Sequence, residues 1–181
     1  MSFDMHGPGL WYVTRATGLV SLLLLTASVL LGLLTAGRFA TERWPRFLTQ
    51  GLHRNISLLV LVFLAMHIGS TVLDTYVSIS LTAVFVPFAS SYKTVWLSLG
   101  AVALDLLLAL IVTSLLRDRL GYRAWRRLHW LAYACWPVAV AHGLGIGTDR
   151  SVTWVIALTL GCVGCVCATV AWRVVVTAGA R

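Results

Sequence analysis

The chain has 181 residues, 59% of them apolar and 11% charged, with a mean hydropathy of +0.88 and a formal charge of +8. This lies outside the soluble globular range and inside the membrane range, and leaves no room for an additional nucleotide-binding domain. The basic residues collect in loops beside apolar runs, so positive-inside sorting accounts for them and nucleic acid is excluded as a partner.

Met1 to Gly9 reads as an irregular polar tail that holds His6. It has no basic n-region and no cleavage site, so the first span is expected to be retained. That span covers about 10–36, with Trp11 and Tyr12 suited to the interfacial belt and Arg15 one turn inside. A polar loop interrupted by Pro45 leads to a second span at about 52–73, which holds His53 and His67. The next connection contains an apolar stretch at about 78–90, too short to cross and broken by Pro87, which reads as an interfacial or re-entrant segment.

The third span, about 94–116, has Asp105 near its centre, where a carboxylate is expected to be protonated and hydrogen-bonded to neighbouring helices. The basic run RDRLGYRAWRR precedes a fourth span at about 128–146, which holds His129 and His142. The fifth covers about 152–176. Cys135, Cys162, Cys165 and Cys167 all lie in apolar runs and read as small packing residues.

The fold expected is an all-α integral membrane protein: one domain, a five-span helical bundle, with a sixth short segment that does not cross. Arg38, Arg43, Arg46, Arg54, Arg117, Arg119, Arg123, Arg126, Arg127, Arg173 and Arg181 fall on one side, and Arg15, Lys93 and Arg150 on the other. Eleven against three puts the first side in the cytoplasm, with the N-terminus outside a plasma membrane and the C-terminus inside.

Four of the five histidines fall in two matched pairs. His53 and His67 are fourteen residues apart, about 21 Å along a helix and within about 40° of one direction. His129 and His142 are thirteen apart. Spans two and four both enter from the cytoplasmic side, so His53 and His129 share an inner depth and His67 and His142 an outer one. That is the ligand set for two stacked bis-histidine b-type haems, with the iron's axial positions filled and electron transfer favoured over catalysis at iron. Arg15, Arg54, Arg126 and Arg127 are candidates to neutralise haem propionates. One feature resists: thirteen residues leave His142 about 140° out of phase with His129 on a straight helix, and Pro137 between them is the expected source of a corrective distortion.

The WRRLHWLAY run at 125–133, the TSLLR run at 113–117 and the histidine spacings together resemble the ferric reductase-like transmembrane domain. This superfamily includes ferric reductases, NADPH oxidases and the haem subunit of the bacterial methionine-sulfoxide reductase system. The resemblance covers about 11–145. It implies two haems between two helices, held by His53, His129, His67 and His142, and electron flow from NAD(P)H and flavin, or from quinol, to an acceptor across the membrane. No G-x-G-x-x-G run occurs and the sequence stops at Arg181. Any FAD or FMN is therefore expected on a separate flavoprotein, with quinol as the other donor class. Ferric iron, oxygen, a quinone or an outer redox protein is the acceptor, and lipid surrounds the chain. The competing reading is a non-redox transporter or assembly factor whose histidines and Asp105 handle a metal or protons.

Overall fold

A computed structural model describes residues 9–75, 77–147 and 152–179. They form eight helices, α1 (Gly9–Ala36), α2 (Arg46–Leu73), α3 (Leu81–Phe85), α4 (Thr94–Leu115), α5 (Arg117–Leu120), α6 (Tyr122–His129), α7 (Ala132–Ile146) and α8 (Thr153–Gly179), and no strand among the described residues. The all-helical expectation holds. Four of these helices, α1, α2, α4 and α8, are long and apolar enough to cross a membrane.

The expected fourth span takes another form. It is divided into α6 and α7, and α7 alone has 15 residues, about 22 Å at 1.5 Å per residue, less than a hydrocarbon core of about 30 Å. The second span also starts earlier than hydropathy suggests. Once Pro45 has ended the loop, nothing in Arg46–Gln50 opposes a helix, so α2 gains a polar first turn.

The chain clusters into two compact units, residues 1–16 with 66–148 and residues 17–65 with 149–181. In the first, α4 and α7 are the main packed pair. Their contact is lined by small residues, Gly100 and Ala103 on α4 and Cys135 and Gly145 on α7, which let helices approach closely in lipid. Two bonds tie α4 to its surroundings: the Phe88 amide donates to Ser98 Oγ at 2.7 Å, and Lys93 Nζ, just before α4, donates to the Ile146 carbonyl at 3.0 Å, where it complements the negative end of α7.

The expected short segment is α3. Ser80 caps it, its hydroxyl accepting from the Ala83 amide at 3.3 Å, and Ala83 and Ile79 are buried while Leu81, Phe85 and Phe88 remain exposed. In the second unit, Gly37 lies under the Trp172 ring, and Phe39 meets the same ring edge-on at 5.9 Å. Buried Thr49 accepts from Trp44 Nε1 at 2.9 Å.

Candidate functional site

His53 projects from α2 within the second unit. Its Nδ1 lies 2.9 Å from the Ser28 carbonyl, with the Ser28 hydroxyl at 3.3 Å. A carbonyl only accepts, so Nδ1 carries the proton and the lone pair of the neutral ring is on Nε2. Ser28 Oγ also meets Ser57 Oγ at 2.7 Å, and Ser57 donates to the His53 carbonyl. Gly32, one turn along α1 from Ser28, faces the ring; a Cβ there would stand 3.5 Å from Cε1.

His67 and His142 both belong to the first unit. His67 Nδ1 donates to the Thr14 carbonyl at 2.8 Å. Thr14 Oγ1 is tied to Ser70 Oγ at 2.7 Å, and Ser70 and Thr71 both donate back to the His67 carbonyl. His142 Nδ1 donates to the Trp96 carbonyl at 2.8 Å. Its ring sits on Gly100, where a Cβ would lie 2.6 Å from Cε1 and 2.7 Å from Nδ1, so no side chain fits without moving the ring.

Three histidines thus share one device. Each has Nδ1 on the main chain of the adjacent helix, which fixes the tautomer and puts the lone pair on Nε2, an arrangement compatible with an outer shell for a metal-bound imidazole. His129, in the first unit, is placed differently: its ring lies against Trp125, with centroids 4.9 Å apart, and Trp125 Nε1 reaches Ser114 Oγ at 3.3 Å.

Part of the phase difference between His129 and His142 is taken up around residues 130–131, where four tight turns supply about 80° of the roughly 140°. The amides of Trp130, Leu131, Tyr133 and Ala134 each bond the carbonyl three residues back, at 2.9–3.2 Å. Such tight turns rotate the chain by about 20° more per residue than an α-helix. That is the sense that closes the gap. The distortion therefore lies upstream of Pro137, through which α7 continues as a helix.

The arginines are spread out. Arg15 directly follows Thr14, the residue that holds His67, and its guanidinium lies 4.1 Å from the Trp11 ring centroid. Arg54 follows His53 and is exposed. On α6, Arg126 lies about 60° round the helix from His129, and Arg127 about 160°. Asp105 departs from expectation. It is exposed on the face of α4 opposite Trp96 and Gly100, and is not packed between helices. Cys135 is buried with Sγ 3.4 Å from the Ala103 carbonyl, Cys162 is buried, and Cys165 and Cys167 are exposed; all four are free thiols. Among the described residues no three of His, Cys, Asp and Glu come together as a cage for a bare metal ion. His6, Arg150 and Arg181 lie outside the described residues.

The sequence reading expected each ligating imidazole to turn its other nitrogen to a helix carbonyl or hydroxyl, as His53, His67 and His142 do, but it did not name the residues that supply it. A signal was present. Thr14, Ser21, Ser28 and Thr35 recur every seven residues along α1, a narrow polar stripe in an apolar helix. Two of its members, fourteen residues apart, supply the acceptors for two histidines also fourteen apart. Gly100 was likewise readable as a small residue with a packing reason.

A family model described as ferric reductase like transmembrane component matches residues 17–140. No curated protein and no solved structure matches the chain.

Proposed function

The chain belongs to the ferric reductase-like transmembrane family, and on that premise we propose that it carries electrons across a membrane through two bis-histidine b-type haems. Haem, when bound, supplies a one-electron iron couple that needs no open coordination position. The observation that carries the proposal is the shared anchoring of His53, His67 and His142. Each has Nδ1 on a carbonyl, the hydrogen bond that puts the lone pair of a neutral ring on Nε2, the atom that would ligate iron.

His67 and His142 hold the outer haem, and His53 and His129 the inner one. Two histidines on each iron also suit a chain without a three-ligand cluster among its described residues. Arg15, beside the anchor of His67, is the propionate partner for the outer group, and Arg54, Arg126 and Arg127 are the candidates for the inner one. The α6–α7 path makes the fifth crossing. The bias of basic residues puts the N-terminus outside a plasma membrane and the C-terminus in the cytoplasm. A separate flavoprotein or a quinol reduces the inner haem. Ferric iron, oxygen, a quinone or an outer redox protein accepts from the outer one.

The test is a reduced-minus-oxidised visible spectrum with a pyridine haemochrome count on purified protein from haem-replete cells. Two low-spin b haems per chain are expected. His67→Ala and His142→Ala should each remove one, and His53→Ala and His129→Ala the other. Protein that binds no haem, or four variants that all keep two, overturns the proposal.

A further inference from the structure

The α6 helix has two different sides. Trp125 and His129 form one, stacked together and tied to the end of α4 through Ser114. Arg126, Trp130, Arg123 and Arg127 form the other, within an arc of about 100° whose centre is more than 100° away from both. All three arginines are exposed, as are Tyr122 at 59% and Trp130 at 57%. Among the described residues none of the three is paired with a carboxylate.

A groove of about 460 Å³ opens on this side, lined by Tyr122, Arg123, Arg126, Arg127 and Trp130. A second, of about 580 Å³, continues it over Leu120, Gly121 and Ala124 and shares Tyr122, Arg123 and Arg127 with the first. No carboxylate lines either one. Gly121, at φ +75°, separates α5 from α6, and Asp118 on α5 is not among the residues that line the groove.

We propose that this groove binds the phosphate of an anionic phospholipid headgroup, with Arg123 and Arg127 as its principal contacts and Trp130 against the upper acyl chain. Charge complementarity calls for an anion. The aromatic rim, Tyr122 and Trp130 in the groove with Tyr133 against Trp130 at 5.3 Å, selects a lipid over a soluble anion. Such residues sit at headgroup level, and basic clusters next to a span favour anionic lipids. Arginine forks suit phosphate oxygens better than lysine does, and the run from 117 to 127 uses no lysine. The site needs no haem, but Arg127 is also a candidate propionate partner, so a haem count on the variant with Arg123→Gln and Arg127→Gln separates the two roles.

The probe is phosphatidylglycerol against phosphatidylcholine, offered to the full-length protein in nanodiscs. Retained lipid is counted by native mass spectrometry, and contact is read by quenching with bromine-labelled lipid. Wild type should retain phosphatidylglycerol preferentially, and Trp130→Phe should lose part of the quenching. Arg123→Gln with Arg127→Gln should weaken retention roughly 25-fold, about fivefold per arginine. Arg43→Gln with Arg46→Gln removes the same charge from another loop and should leave retention unchanged.

Equal losses in both double variants would reduce the effect to bulk attraction and overturn the site. So would the absence of any preference between the two lipids. Displacement by millimolar inorganic phosphate would make it a site for free phosphate, and displacement by polyglutamate a surface for an acidic protein; either overturns the lipid assignment. If the glutamine pair fails to fold, Arg123→Lys with Arg127→Lys keeps the charge and loses the fork. It should then bind more weakly than wild type, and binding equal to wild type counts against the site.

Discussion

The glycines that face two of the histidine rings, Gly32 on α1 and Gly100 on α4, differ in the room they leave. The His142 ring occupies the space that a Cβ on Gly100 would take, at 2.6 Å, whereas the His53 ring stands 3.5 Å from one on Gly32. The first distance forces a shift and the second is ordinary contact. Gly100→Ala should therefore lose the outer haem or broaden its low-spin band, while Gly32→Ala keeps both haems at full occupancy. Haem counts on the two variants check this, and equal behaviour would mean that ring position is not set by these glycines. Ser28 offers a second contrast. Its carbonyl holds His53 whatever the side chain, and its hydroxyl adds only the longer 3.3 Å contact. Ser28→Ala should cost the inner haem well under the 10–100-fold typical of losing an outer-shell partner, measured as the rate of haem transfer to an apo-globin acceptor.

At the scale of elements, the junction between α6 and α7 matters most. Its tight turns, and not Pro137, rewind the chain between the two histidines. Pro137→Ala should leave the haem count unchanged. Deleting Leu131 turns His129 by about 100° relative to His142 and should abolish one of the two haems. The sequence made four long spans legible because each carries a long apolar run. It could not reveal the junction, since Leu128–Ala134 contains no proline or glycine to mark a break. It placed the matched histidines on two helical paths; of the backbone carbonyls that orient three of them, those of Thr14 and Ser28 are marked by the polar stripe on α1 and that of Trp96 by nothing in the sequence. Asp105 was read as packed between helices because hydropathy cannot tell the two faces of a uniformly apolar helix apart.

For the whole molecule, the described residues are almost entirely helix, and every candidate functional side chain sits on or beside a helix that carries no phosphate-binding loop. This 181-residue chain should therefore not oxidise NADPH by itself. In proteoliposomes, cofactor absorbance should stay constant until a flavoprotein or quinol donor is added, and steady consumption by the pure chain would reveal an overlooked nucleotide site. The exposed arginines of α6 add a second expectation at this scale. Turnover with an external donor should depend on bilayer composition as well as on the donor, and assays across a phosphatidylglycerol series would measure that dependence.

Three of the four histidines lean on the main chain, and this has a consequence for inheritance. A substitution at Thr14, Ser28 or Trp96 changes a side chain but leaves the accepting oxygen in place. A single inserted or deleted residue between Thr14 and Ser28 would instead put the two acceptors out of step with histidines fourteen residues apart. The anchoring is thus nearly invisible to point mutation and acutely sensitive to length. A lineage of such chains should drift freely in the lettering of its first helix while never changing the count.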